Sequence, residues 1–356
     1  MVSNQFFKTA ESAHPTEFGT IFPPDEQWLA KQAEEEILLP DLPIVDPHHH
    51  LWDHPGHRYL VEELTRDIQS GHNIVGTVYV EAMSAYRASG PPESRPVGET
   101  DFVVALTGDR ADSAGRPAIA DGIVGFADLT LGAAVEEVLQ AHISAGQGRF
   151  RGVRFAGAWD ESDAVQNSHA GKRPHMLAEP VVRDGIRKLA ELDLTLDLWM
   201  FHPQLREVAD LADTMPGLTL VLDHCGGPVG YGPYASNRDE HFRIWQSGVR
   251  ELAKRPNVVC KVGGLLARGA AFDYVTAELP PTSEQLARIW RPWLETCITA
   301  FGPERSMFES NFPVEKMGTG YATIWNTFKR VTAGASPAEL SSMYSGTARR
   351  VYRLPG

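Results

Sequence analysis

The sequence predicts an α/β protein, a single (β/α)8 TIM-type barrel, on three observations. Eight short apolar segments, often β-branched, recur after residue 40. Stretches with apolar residues at i, i+3 and i+4 spacing separate them, the mark of amphipathic helices. No Gly-x-Gly-x-x-Gly follows the first apolar segment, which weakens the structural rival, a doubly wound nucleotide-binding sheet. Near-continuous apolar runs fit strands buried on both faces of a parallel sheet. Eight of them alternating with helices is the count of the barrel.

Taken in order, residues 1–40 read as an N-terminal arm and 41–356 as the barrel. The arm carries IFPPDEQ and then an expected charged helix, EQWLAKQAEEEIL. Strands are expected at 42–46, 73–82, 121–129 and 150–157, and again at 194–201, 218–224, 257–264 and 306–312. Helices are expected at 134–146, 180–193, 204–215, 239–256, 283–302 and 337–354. Segments 84–100 and 158–176 read as long loops at the active end, where loops shape pockets.

Composition narrows the partners. The chain has 33 Lys and Arg against 46 Asp and Glu, a net charge of −13. Such a surface repels phosphate backbones, so no nucleic-acid partner is expected. No apolar run approaches the roughly 20 residues of a membrane span. An acidic protein can still hold a locally basic pocket. Cys225, Cys260 and Cys297 show no Cys-x-x-Cys spacing and read as reduced thiols of a cytoplasmic protein. The first residues lack the basic-then-apolar pattern of a secretory signal.

A barrel places its active site at the carboxyl ends of its strands, so those ends are where chemistry is sought. The first strand ends in DPHHHLWD. Side chains alternate along a strand, so Asp46, His48 and His50 are expected on one face and His49 on the other. Two imidazoles at i and i+2 can reach one metal ion or one oxyanion. Three successive histidines between an apolar strand and a tryptophan favour function over a polar strand end. The sixth strand ends in VLDHCGGP, with Asp223 and His224 expected on opposite sides. The plainer reading of His224 is a histidine that bonds the next loop, and the functional one gains weight from sharing an end with His48 and His50. The eighth strand carries MFESNFPVEK, which places Glu309 one layer below Asn311. Glu309 reads evenly as a structural ion pair or as a functional carboxylate.

Smaller signals complete the set. Glu81 ends the second strand. Arg154, on the fourth, has the planar fork that clamps a carbonyl or carboxylate. Trp199 and His202 end the fifth, where packing explains them as readily as substrate binding. Lys261 on the seventh strand is an amine, but nothing beside it in sequence argues for a lowered pKa.

Together DPHHHLWD, GVRF, LDHCGGP and ESNFP resemble the amidohydrolase superfamily. The nearest likeness is to its amidohydrolase-related branch, which includes 2-pyrone-4,6-dicarboxylate and sugar-acid lactonases. The likeness runs in order over residues 40–355. It implies a barrel that hydrolyses an ester, lactone or amide. His48 and His50 match the family's His-x-His, His224 its sixth-strand histidine and Arg154 its fourth-strand arginine. Some members hold a divalent metal on the His-x-His pair, and lactonases of this branch can work without one. The family's eighth-strand aspartate, a general base, is replaced here by Asn311. A carboxamide cannot accept a proton at neutral pH, so Glu81, Glu309 or a neutral histidine is expected to activate water.

The resulting expectation is a lactone hydrolase acting on a small molecule through His48, His50, Glu81, His224, Glu309 and Asn311. Arg154, Trp199 and His202 would bind substrate. No cofactor is required, a weakly held zinc-like ion would sit on His48 and His50, and a homo-oligomer is left open. Two rivals stand beside this reading. A metal-dependent decarboxylase would use His48, His50 and a further histidine. A non-catalytic small-molecule-binding barrel would account for Asn311.

Overall fold

In the computed structural model the described residues are 23–54, 56–108, 117–162, 164–165, 172–266 and 277–355. Residues 1–22 of the expected arm, and 163 and 166–171 of the expected loop 158–176, lie outside them. Ten strands form. They are β1 (Ile44–His49), β2 (Trp52–His54), β3 (His57–Tyr59), β4 (Ile74–Val80) and β5 (Ala118–Gly125). Then come β6 (Phe150–Ala156), β7 (Thr195–Trp199), β8 (Leu220–Leu222), β9 (Val258–Val262) and β10 (Ser306–Phe308). Eight of them make one parallel sheet in the order β1-β4-β5-β6-β7-β8-β9-β10. Each falls on one of the eight predicted segments. The remaining two, β2 and β3, form an antiparallel hairpin beyond the end of β1 that the sequence reading did not foresee.

The sheet closes at its carboxyl end. His49 bridges Phe312, His50 N–H donates to Phe312 O at 2.8 Å, and Asn311 N–H donates to His48 O at 2.9 Å. The result is a (β/α)8 barrel. Its interior begins with an apolar layer of Val45, Val78, Val80, Val124, Val221, Val259 and Met307. Tyr352 and Leu354, from the end of the chain, pack into the same cluster. Full burial of each such side chain contributes about 1.5–3 kcal/mol.

The helical layer departs from expectation at several places. Helices Val61–Ile68, Val97–Thr107 and Tyr321–Val331 were not foreseen. Val97–Thr107 starts inside the segment expected to be a pocket loop. A Cβ on Gly98 would stand 2.7 Å from both Ala85 O and Arg87 N, so glycine lets that loop lie directly on the helix. The expected helix 337–354 is interrupted by a π-turn at Ser342–Gly346. The expected helix over 26–38 ends at Leu29. Beyond it the chain is tied to the barrel instead. Gln32 Nε2 donates to Pro281 O at 2.9 Å, and Glu35 accepts from Ser283 N at 2.6 Å. Those tertiary bonds replace the helix, and residues 23–40 lie against the barrel.

Strand alternation also fails at one informative point. The β1–β4 register slips between Asp46 and His49, around Pro47, which has no N–H to give to the ladder. Asp46 therefore turns to the helical layer. It accepts from Tyr321 OH at 2.9 Å and from Ser310 N at 3.0 Å. His48 turns into the barrel. The expectation that Asp46 shares a face with His48 is corrected by this bulge.

Tyr352 donates its hydroxyl to Asp197 Oδ2 at 2.6 Å, with both groups fully buried. Tyr352→Phe leaves that carboxylate one donor short. It should lower unfolding free energy by about 1–3 kcal/mol, read as a shifted urea midpoint at unchanged m-value.

Candidate active site

Above the apolar layer the barrel turns polar. Asp197 on β7, Asp223 after β8, Lys261 on β9 and Glu309 after β10 have no solvent exposure, and neither does His48. Lys261 Nζ lies 2.7 Å from Asp197 Oδ2, 3.1 Å from Asp223 Oδ1 and 3.1 Å from His48 Nδ1. Burial pushes the Lys261 pKa down, but Asp197, Asp223 and Glu309 outweigh it and hold the amine above its ordinary value. Lys261 is a fixed ammonium and not a nucleophile.

Glu309 sits between two histidines. Its Oε1 lies 2.7 Å from His224 Nδ1 and accepts from His224 N at 3.1 Å, while Oε2 lies 2.8 Å from His48 Nδ1. His224 reaches this pocket by leaving strand geometry. Its φ is 52°, in the left-handed region. Asp223 and His224 thus both face the site, correcting the expectation of opposite sides. Gly264 makes room, since a Cβ there would meet His224 Nδ1 at 2.3 Å. Burial lowers the His224 pKa, yet Glu309, by charge and hydrogen bond, and Asp223 raise it overall.

His50 Nδ1 stands 2.8 Å from Val80 O. A carbonyl only accepts, so Nδ1 carries the hydrogen and Nε2 of the neutral ring is a lone pair. Burial, then the Arg154 charge, holds His50 well below its ordinary pKa. Burial does the same to His48, helped by Lys261. The His48 ring centroid lies 5.0 Å from that of His50 and 4.6 Å from that of His224, so the three imidazoles form one cluster.

Arg154 Nε donates to Glu81 Oε1 at 2.8 Å, and Nη2 donates to the Glu81 carbonyl. Its Nη1 group makes no hydrogen bond among the described residues. Trp199 packs edge-on to His224 at 4.9 Å. The exposures of 3% for His50, 6% for Arg154 and 7% for His224, against 0% for Glu81 and Glu309, separate groups at the surface of the cluster from those beneath it.

The side chains of two further expected residues bond outside the imidazole cluster. His202 accepts from Val229 N at 3.1 Å through Nδ1, and burial lowers its pKa to about 4. It anchors the turn after β8. Asn311 has φ 53°, so alternation does not carry from Glu309 to it. Its Nδ2 donates to Glu315 Oε1 at 3.3 Å. Sequence reasoning missed Glu315 and Tyr352, which lie beyond any strand end, and it noted Asp223 and Lys261 without seeing that they pair.

His48, Asp223 and His224 offer ligand atoms within 4.8 Å of one another. His48 Nε2 is buried with no hydrogen-bond partner among the described residues. Two imidazoles and a carboxylate suit a zinc-like divalent ion. The set includes His48 of the expected pair and adds Asp223 and His224. The Lys261 ammonium, against Asp223 and His48, opposes a second cation at the same ligands.

A barrel with a histidine and carboxylate cluster at the carboxyl ends of its strands defines a TIM-barrel enzyme. The model of the Amidohydrolase family matches residues 45–354, and the chain belongs to that family. An uncharacterized protein of Sinorhizobium fredii is 31% identical over 344 residues, covering 89% of this chain and all of that one. L-fucono-1,5-lactonase of Burkholderia multivorans is 28% identical over 319 residues, covering 87% of this chain and 96% of that one. Among solved structures, a zinc-bound amidohydrolase of Burkholderia multivorans aligns with a TM-score of 0.67 at 26% identity. That match covers 88% of this chain and 99% of the other. The protein is an enzyme of the hydrolase type, and no helix among the described residues is long and apolar enough to cross a membrane.

Replacing Lys261 by Met leaves Asp197 and Asp223 without their shared cation. Breaking a buried pair from one side costs about 3–5 kcal/mol. Lys261→Met should therefore lower unfolding free energy by that order in urea titration.

Proposed function

We propose that this enzyme hydrolyses a lactone of a small polar acid, and that His224 and His50 move the protons. The observation that carries the reading is the 2.7 Å contact between His224 Nδ1 and Glu309 Oε1. Glu309 holds the Nδ1 hydrogen and thereby directs Nε2 away from itself, toward the cleft. With its pKa raised, His224 supplies an acid that donates from Nε2 to the departing ring oxygen.

The carbonyl oxygen would be met by Arg154, whose Nη1 group makes no hydrogen bond among the described residues. Developing negative charge on that oxygen strengthens the contact in the transition state. His50 supplies the base. Its Nε2 lone pair is fixed by the Nδ1 bond to Val80, and its depressed pKa keeps the ring neutral. Water gives its proton to His50 as its oxygen attacks the carbonyl carbon. The acyl C–O bond then breaks, and the alkoxide takes the His224 proton. The product is the open hydroxy acid. Glu81 and Glu309 lie behind Arg154 and His224 and act by orienting them. Asn311 holds Glu315 and moves no proton. Trp199 forms the cleft wall beside His224.

His48, Asp223 and His224 would hold a divalent ion, which when bound polarises carbonyls and lowers the pKa of its water. The Lys261 charge beside them argues for weak retention. The lactonase name of the Burkholderia multivorans relative supports the ester-type substrate.

Hydrolysis of L-fucono-1,5-lactone and unsubstituted δ-lactones, followed by pH-stat, should exceed the buffer rate. Glu309→Gln and His224→Ala should each lower kcat/KM by roughly 100- to 10,000-fold. No turnover across that panel would overturn the reading.

Metal retention gives a separate outcome. After dialysis against chelator, elemental analysis should find well under one equivalent of zinc, with the lactone rate largely kept. Full zinc occupancy, with activity proportional to it, would contradict weak retention.

A further inference from the structure

Behind Glu81 lies a second carboxyl group that the proposed reaction does not use. Glu99, in the first turn of helix Val97–Thr107, is 2% exposed. Its Oε1 accepts from Tyr79 OH at 2.7 Å, Ala82 N at 2.7 Å and Ser84 N at 2.9 Å. Those three donors lie on β4 and on the turn directly after Glu81. Glu81 in turn receives Arg154 through both its carboxylate and its backbone carbonyl. One oxygen of Glu99 therefore fixes the segment that aims the arginine. The other, Oε2, is buried with no hydrogen-bond partner among the described residues, and the nearby Tyr86 hydroxyl is in the same state.

We propose that Glu99 is a positioning residue for Arg154: it fixes the 82–84 turn that holds Glu81, and its own charge competes with Glu81 for the guanidinium. The electrostatics run in one direction. Burial first, then the Glu81 charge, raises the Glu99 pKa to about 8. At neutral pH Glu99 is the uncharged acid, and Glu81, with Asp223, sets the field on Arg154. Above that value a second negative charge forms on the Glu81 side. It draws the guanidinium back and weakens its positive field in the cleft.

The charged and titratable groups around Glu99 are Tyr79 and Glu81 from β4, Tyr86 from the following loop and Arg154 from β6. Asp121 lies on the neighbouring β5, and His142 on helix Val135–Ala145 bonds Thr100. At the helix surface Arg87 pairs with Asp101, and at its far end Arg149 bonds Thr107. Burial first holds the His142 pKa near 4, so it stays neutral across this range.

The role in catalysis rests on the proposed lactone reaction, so the primary readout needs no substrate. The Arg154 Nε–H resonance, assigned with Arg154→Lys, is followed by NMR from pH 6 to 10 in the full-length enzyme. In the wild type it should move with a midpoint near 8, the Glu99 value. Glu99→Gln keeps an acceptor oxygen for the turn and cannot ionise, so its Arg154 signal should stay flat. A flat wild-type signal, or the same titration in Glu99→Gln, overturns the proposal. In lactone kinetics the wild type should lose kcat/KM on an alkaline limb that Glu99→Gln lacks. Glu99→Gln should keep the neutral-pH rate, and Glu99→Ala, if folded, should lose roughly 10- to 100-fold through kcat. An alkaline limb retained by Glu99→Gln would also overturn the proposal. Absence of lactone turnover would remove the functional reading only, since the NMR titration still decides the role of Glu99.

Discussion

The structure depends on one buried cation. Lys261 stands inside the barrel within 3.1 Å of Asp197, Asp223 and His48. Without it the barrel would hold Asp197, Asp223 and Glu309 in a dry interior, an arrangement burial strongly disfavours. With it, carboxylates can stand directly beneath two histidines. The valine layer and Tyr352 below keep water from the underside. The polar layer is thus partly neutralised by Lys261 and sealed by apolar packing below.

Depth then divides the work. Fully buried carboxylates back the groups nearer the surface, Glu309 behind His224 and Glu81 behind Arg154. The groups at the surface of the cluster are an arginine and imidazoles, whose hydrogens are fixed by what lies behind them. In the proposed reaction this arrangement tolerates Asn311, because imidazoles and not a carboxylate at the mouth would move the protons. It also explains why neighbouring histidines differ. Burial and then the Arg154 charge hold His50 neutral against the bond to Val80 O, whereas at His224 Glu309 and Asp223 outweigh burial and favour the cation.

Much of this was legible in the sequence because burial on both faces leaves a plain mark. The eight apolar segments could be nothing other than interior strands, and barrel geometry then named their ends as the site. His48, His50, Arg154 and Glu309 were expected there, and all four are buried at those strand ends. What escaped was set by backbone irregularity or by distance along the chain. Pro47 slips the register, so Asp46 leaves the face that alternation gave it. His224 and Asn311 adopt positive φ, which no hydrophobic pattern reports. Lys261 was visible, but its charge state was not, since Asp197 and Asp223 come from other strands. Glu99 was hidden in a helix whose apolar residues do not keep to one face, so it read as loop.

The seam between the first and last strands is made by the residues around the site. His48 and His50 supply backbone groups to Asn311 and Phe312 across 263 and 262 positions of chain. The final ring closure and the assembly of the cleft are therefore one event. An open sheet lacking its last strand would already hold most of its hydrophobic faces, yet Glu309 would be absent from His48 and His224. The strand that completes the ring is thus also the one that completes the cluster of charges.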